Sequence, residues 1–295
     1  MRILGKRALR WRVAAAEVGP LQDISTLDEK SAGVARLAHL SDFHFGKPLD
    51  EDTVPAVVDR WLSDLGEVDV DVIVFSGDLV EEPGDRAAML RMKYRLDDSG
   101  VPWVIVPGNH DIVCLGSDGA FYEIFGAYPR VESHAGVDFV LLDSIGGLPA
   151  AERGPFDRLQ AIQSGAYSKG RVGRRQLERA AEMLAGRPSR ARVLVVHHHL
   201  REESEVLADP PPPGAPGSLM EPLLDHDELV EWALDHDVRL AFHGHKHAHW
   251  PPYLAAERLP VFNSGSSTRG KPVRRARIVD LALDGSRAGV WEIRE

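Results

Sequence analysis

Apolar residues in this chain fall into two alternating patterns, and each pattern predicts an element type. Short, almost unbroken runs at 35–40, 70–76, 103–106, 137–144, 192–196 and 238–242 read as strands buried on both faces. Between them, apolar positions recur every three or four residues, which predicts amphipathic helices. One helix spans about 52–65, with Val54, Val57, Val58, Trp61, Leu62 and Leu65 on its inner side. Others span about 85–98, 174–186 and 226–236, and the third closes on Gly186 and Pro188, an ordinary stop signal.

The end of the chain changes character. LPVFNSGSS (259–267), RARIVDLAL (275–283) and RAGVWEIRE (287–295) read as strands, with DGS between the last two as a turn. Residues 112–135 read as loop and short helix, and the glycine-rich stretch 145–170 as a long loop near the sheet edge. The segment 201–224 contains Pro210–Pro213, a stiff stretch expected to form a lid or rim. Alternating βα units imply a largely parallel sheet, and the terminal strands a second, mixed or antiparallel sheet packed against it. The expected fold class is α/β, a two-sheet sandwich flanked by helices. Residues 1–33 are an N-terminal extension and 34–295 a single domain.

Five of the apolar runs end in metal-binding residue types. ARLAHLSDFH ends at Asp42 and His44, VDVIVFSGD at Asp78, and PWVIVPGNHD at Asn109, His110 and Asp111. RVLVVHHH opens its cluster at His197, and VRLAFHGHKH ends at His245 and His247. In a doubly wound arrangement these ends share one edge, where ligands bind. Asp42 and His44, like His245 and His247, sit at i and i+2, a spacing that in extended chain puts both side chains on one side. Gly77 and Gly244 permit sharp turns or close backbone approach beside them. Carboxylate, imidazole and amide without thiolate suit borderline divalent or trivalent ions. The donors are too many for one tetrahedral ion and suit two of higher coordination. Two ions roughly 3.5–4 Å apart acidify water and clamp an in-line displacement at phosphorus.

Composition narrows the partners. The 295 residues are 43% hydrophobic, enough for a two-sheet core, and the formal charge is −10. That balance argues against nucleic acid as a partner, yet leaves an anionic substrate open, since two bound ions reverse the local sign. Cys114 is the one cysteine, so no intrachain disulfide forms. No apolar stretch approaches the roughly 18 residues of a membrane span, and the N-terminus lacks an uninterrupted apolar core for a secretory signal. A cytoplasmic location is expected. Arg2, Lys6, Arg7, Arg10 and Arg12 read as charges of a solvated extension.

The ordered set DFH (42–44), GD (77–78), GNHD (108–111), His197 and GHKH (244–247) resembles the calcineurin-like metallophosphoesterase superfamily over about residues 34–268. The pattern is similar to its bacterial cyclic-nucleotide and glycerophosphodiester phosphodiesterase branch. The resemblance implies two metal ions, manganese, iron or zinc. It assigns Asp42, His44 and His247 to one ion, Asn109, His197 and His245 to the other, and Asp78 to both. It gives His110 the leaving-group role, with Asp111 orienting it. The implied activity is hydrolysis of a small phosphodiester, or a phosphomonoester, by metal-bound hydroxide.

Plainer readings stand beside these. Three consecutive imidazoles, His197, His198 and His199, are not separated by sequence alone; the family pattern puts the ligand first, His198 then faces the substrate or the helical layer, and His199 reads as a rim residue. His243 and His249 read as packing or surface groups. Asp111 also fits a structural role. Lys47, Arg201 and Arg269 read as solvated charges, and Phe43 and Phe45 as packing beneath the ligands. Phe121, Tyr122 and Trp250 fit a substrate wall or the core equally. Two other functions remain: a metal-dependent nuclease, and a non-catalytic binding scaffold, which should have lost ligands that this chain keeps.

Overall fold

The computed structural model describes residues 27, 29–46, 53–112, 119–145, 170–188, 190–201, 222–248, 250, 252–268 and 275–294. Most of the N-terminal extension, Lys47, Cys114, the tetraproline, His249, Arg269 and most of the long loops at 145–170 and 201–224 lie outside them.

Eleven strands among the described residues form two sheets. The first runs β11(Ala288–Arg294)-β10(Arg275–Ala282)-β1(Val34–Leu40)-β2(Val72–Phe75)-β3(Trp103–Ile105). The second runs β4(Arg130–His134)-β5(Val137–Leu141)-β6(Ala191–Val195)-β7(Val238–His243)-β9(Leu259–Asn263)-β8(Tyr253–Ala255). Strands β1, β2 and β3 are parallel, as are β5, β6, β7 and β9; β10, β11, β4 and β8 pair antiparallel at the edges. Both sheets are therefore mixed. The expected second sheet built from the terminal strands does not form. The βα units are shared between the two sheets, β9 joins the second, and β10 and β11 extend the first beside β1.

Side-chain alternation explains the layering. On β1, Ala35 and Leu37 face the other sheet while Ala38 and Leu40 face helices; β2 splits the same way at Val72 and Val74 against Ile73 and Phe75. On β6, Val193 and Val195 enter the inter-sheet core, whereas Leu194, and Val196 just past the strand's end, meet the helices beyond. A strand covered on both sides has no polar face to spare, hence the unbroken apolar runs.

Helices α1(Thr53–Glu67) and α2(Arg86–Asp98) cover the first sheet through Val57, Val58, Trp61 and Leu65, and through Ala88, Met89, Met92 and Leu96. The short α3(Asn109–Ile112) and α4(Gly119–Phe125) join them, burying Ile112, Phe121 and Phe125. Helices α5(Arg174–Leu184) and α6(His226–Asp235) cover the second sheet through Leu177, Ala180 and Leu184, and Leu229, Val230 and Ala233. Asp85 starts α2 by accepting the Ala88 amide at 2.9 Å, a cap worth about 1 kcal/mol. Buried Arg36 forks onto Asp280 at 2.8 and 2.9 Å, across the register that pairs β1 with β10.

Strands β4 and β8 were not expected. Arg130–His134 carries Arg, Glu, Ser and His with a single apolar side chain, so it lacks the run that marks a buried strand. It pairs as an edge, where one side needs no apolar cover.

Candidate metal centre

The polar cluster lies on the chain just past the ends of β1, β2, β3, β6 and β7. Backbone hydrogen bonds tie these segments together past the sheets: Asp42 N to Gly77 O, His44 N to Asp78 O, and Gly244 N to His197 O, each 3.0 Å. The segments are not extended, contrary to the basis of the i, i+2 spacing argument. Strand β1 stops at Leu40 and β7 at His243, and Asp42, His44, Asp78, His245 and His247 adopt φ of 52°, 50°, 52°, 72° and 50°. Left-handed backbone at non-glycine residues stores strain, and such strain gathers at functional sites. Gly77 has φ of 99°, and a Cβ there would stand 2.5 Å from His197 Nδ1 and 2.8 Å from Gly108 N. A Cβ on Gly244 would collide with Ser41 Oγ and come within 2.6 Å of Asp42 Oδ2. Both glycines are needed for close approach.

Two groups of ligand atoms meet at Asp78. Asp42, His44, Asp78 and His247 each present an atom within 4.8 Å of the others, and so do Asp78, His197 and His245. His44 Nε2 lies 2.9 Å from His247 Nε2 and 3.7 Å from Asp78 Oδ2. His247 Nε2 lies 3.3 Å from Asp42 Oδ1. In the second group, His197 Nε2 is 3.4 Å from Asp78 Oδ2, 3.2 Å from Asn109 Oδ1 and 3.2 Å from His245 Nδ1. His197 Nδ1 is held by the Ser76 carbonyl at 2.7 Å, so its proton sits there and Nε2 is turned to the cluster.

The charges are those of a cation site. Burial works against ionising Asp78, yet His197 and then His44 hold it well below the usual carboxylate range. Burial likewise opposes ionisation of Asp42, and His247 brings it below its ordinary value. The partners move the other way: against burial, Asp78 lifts His197 to about 9 and Asp42 raises His247. Burial and neighbouring imidazoles push His245 well below its ordinary value. The carboxylate charge is thus balanced by protons on two imidazoles. Close nitrogen pairs such as His44–His247 and His197–His245 can share only one proton each. Cations satisfy all these lone pairs together, and the N/O donor set fits borderline metals.

Asp111 is fully buried, and its carboxylate accepts the amides of Leu79 at 2.9 Å, Val80 at 3.1 Å and Gly108 at 2.9 Å. It clamps two ligand loops and makes no bond to the His110 ring. That ring, half-buried, instead meets the Glu81 carbonyl through Nδ1 at 2.9 Å, while the His110 amide donates to Asp78 Oδ1 at 2.8 Å. Burial and the Asp78 charge raise the Asp111 carboxyl to about 7, against its amide donors.

Of the histidine run, only His197 joins a ligand group. His198 Nδ1 meets Ser144 Oγ at 2.7 Å. His199 is fully buried beside Trp250, not at the rim. His243 is a packing group, between Tyr253 OH at 3.1 Å and the Gly244 carbonyl at 3.0 Å. Phe43 packs edge-on to Phe75, and Phe45 lies beneath Arg91. Phe121 and Trp250 are core residues, and Tyr122, partly buried, donates to Asp143 at 2.6 Å. Arg201 donates to the Leu254 carbonyl at 2.9 Å on β8.

Two supports escaped the sequence reading. Glu81 lies against both His44 and His110, and its only sequence signal is an acid three residues after Asp78. The run Ser266–Thr268 buttresses the first ligand loop. Ser266 Oγ donates to the Asp42 carbonyl at 2.7 Å, Thr268 Oγ1 to the Phe43 carbonyl at 2.6 Å, and Trp61 Nε1 pins the Ser267 carbonyl at 2.8 Å.

Known proteins match this arrangement at different depths. Mre11 of Haloferax volcanii, a DNA double-strand break repair protein, is 29% identical over 137 residues, 42% of this chain and 30% of that protein. Mre11 of Methanopyrus kandleri is 33% identical over 86 residues, 26% of this chain and 19% of that protein. The chain thus spans less than a third of the length of these curated relatives. A dimetal phosphatase from Danio rerio shares the fold, with TM-score 0.59 at 12% identity, covering 87% of this chain and 98% of that one. The family model described as calcineurin-like phosphoesterase matches residues 35–249, well over half of the sequence and every residue of the two groups that meet at Asp78. With that span and its buried His/Asp clusters, the chain belongs to the calcineurin-like phosphoesterase family.

Proposed function

We propose that this chain is a dinuclear-metal-dependent hydrolase acting on a small phosphodiester, with phosphomonoesters as poorer substrates. The observation that carries the reading is the Asp78 carboxylate, common to both groups of ligand atoms. Asp42, His44 and His247 would hold one ion, Asn109, His197 and His245 the other, and Asp78 would contribute to both; manganese, iron or zinc suits the donors. Two cations bound there supply Lewis-acid charge that orients a phosphoryl oxygen, acidifies water and offsets negative charge in the transition state.

The remaining work falls to the protein's own groups. His110 is oriented by its Nδ1 contact with the Glu81 carbonyl, which leaves Nε2 to carry a proton to the departing oxygen. Asp111 keeps His110 in place indirectly, by fixing the backbone of the 77–80 and 108–111 segments. The diester preference follows the resemblance to the cyclic-nucleotide and glycerophosphodiester branch.

The test is turnover of bis-p-nitrophenyl phosphate and p-nitrophenyl phosphate by metal-stripped protein reloaded with manganese, beside Asp78→Ala. Metal-dependent cleavage that vanishes in the variant is expected, faster on the diester. Equal turnover by Asp78→Ala with normal metal content would sink the shared-ligand reading. One observation favours a second reading as a nuclease: the partial match to proteins named for DNA double-strand break repair. The net charge of −10 weighs against it. Metal-dependent digestion of labelled single-stranded or duplex DNA, faster than that of the small diester, would establish it.

A further inference from the structure

Glu81 stands where the first two ligand loops run side by side. Phe45 and Val80 form a parallel bridge, and the Glu81 amide donates to the Phe45 carbonyl at 3.0 Å. This pairing places Glu81 Oε2 2.9 Å from His44 Nδ1, with the two side chains only 11% and 1% exposed. The carboxylate lies off the ring N–H axis, so the contact is a short charge contact rather than a straight hydrogen bond. The opposite nitrogen of the same ring, Nε2, is the one beside His247 and Asp78. The two nitrogens of His44 therefore face different chemistry, a carboxylate behind and a ligand group in front.

We infer that Glu81 is a positioning residue for the Asp42–His44–Asp78–His247 group: its carboxylate keeps the His44 proton on Nδ1 and delivers the Nε2 lone pair to a cation. This rests on the metal reading above. A neutral imidazole has one donor and one acceptor nitrogen, and whatever holds the first decides which lone pair is offered. A carboxylate also raises the basicity of the ligating nitrogen, as a neutral carbonyl does only weakly. His197 is held in the same sense by a carbonyl, that of Ser76. The two groups thus differ in the charge behind one of their imidazoles, which predicts that loss of Glu81 weakens one ion and spares the other.

The second contact of Glu81 makes the test clean. His110 bonds its backbone carbonyl, which any side chain at position 81 retains. A Glu81 substitution therefore separates ion binding at His44 from the orientation of His110.

The experiment is manganese binding to the metal-stripped full chain, followed by chelator competition and by electron paramagnetic resonance, for the parent, Glu81→Gln and Glu81→Ala. The parent should bind two ions and give a coupled two-ion signal. Glu81→Ala should weaken one of them by roughly 10–100-fold, with isolated manganese signals at limiting metal. Glu81→Gln, which keeps an acceptor without the charge, should fall between, and it carries the test if the alanine variant does not fold. Two ions bound as tightly in both variants as in the parent would overturn the inference while leaving the metal reading intact. A parent that binds no ions would instead overturn the metal reading. His44, Glu81 and His110 also present ligand atoms within 4.8 Å of one another, so a third ion in the parent, lost from the variants while the first two stay tight, would make Glu81 a ligand and overturn the positioning role.

Discussion

Replacing Asp111 tests whether the ligand loops are held by a backbone clamp. At pH 8, above the value of about 7 to which burial raises its carboxyl, the side chain is ionised. Its oxygens then accept the amides of Leu79, Val80 and Gly108, in a site that excludes water. Asp111→Ala orphans these donors, and a buried unsatisfied amide costs about 1–3 kcal/mol. Relief of repulsion from Asp78 returns part of that, so the net loss should be on the order of 3 kcal/mol. Asp111→Asn keeps one oxygen but turns an amino group toward a donor, and should lose roughly 2 kcal/mol. Urea unfolding of the metal-free protein measures both, as a shift in midpoint at unchanged slope. An alanine variant as stable as the parent but without turnover would refute the clamp and return Asp111 to the chemistry of His110.

Three further outcomes are expected. Gly244→Ala drives a Cβ into Ser41 and Asp42; it should cost about 1–3 kcal/mol in unfolding experiments and weaken manganese binding in a chelator titration. His197→Ala should lose bound metal by elemental analysis, whereas His198→Ala, whose ring is engaged by Ser144, should keep both ions; equal loss from the two would reverse the assignment. Burial is the main cause that lowers His243 to about 4. Its folded value lies below its unfolded value near 6.5, so the unfolded chain takes up the proton first as pH falls. The stability tied to this neutral ring is present above about pH 6.5 and is lost progressively down to about pH 4, roughly 3 kcal/mol in all. Urea midpoints of the metal-free protein between pH 7.5 and 4 should fall with pH, and His243→Gln should make that fall shallower, the buried His245 and His199 rings supplying the rest.

The parallel strands were legible because burial on both faces forces unbroken apolar runs, and helices α1, α2, α5 and α6 because each carries one apolar stripe. Strands β4 and β8 were not, since edge strands need no such run. The sharing of βα units between two sheets also escaped, because periodicity says which faces are covered but not by which layer. The ligand residues from Asp42 to His247 stand out by type and by their place after strands, but their spacing does not say how they converge. Their side chains meet through left-handed backbone and cross-loop hydrogen bonds, which spacing in an extended chain does not describe. Glu81 and Asp111 show the same gap: an acid near a ligand reads alike whether its carboxylate faces an imidazole or a row of amides.

The ligand groups also straddle the sandwich. Asp42, His44, Asp78 and Asn109 follow strands of the first sheet, while His197, His245 and His247 follow strands of the second. A cation held by donors from both layers is a rivet through the molecule, and sliding of one sheet over the other must eject it. Folding and metal supply are then coupled by mass action: free metal at a hundredfold excess over its dissociation constant adds about 2.7 kcal/mol to the folded state. In a cell short of metal the chain would lose more than turnover. A larger share of it would stand open to proteases, so its abundance, as well as its rate, would follow the supply of the ion.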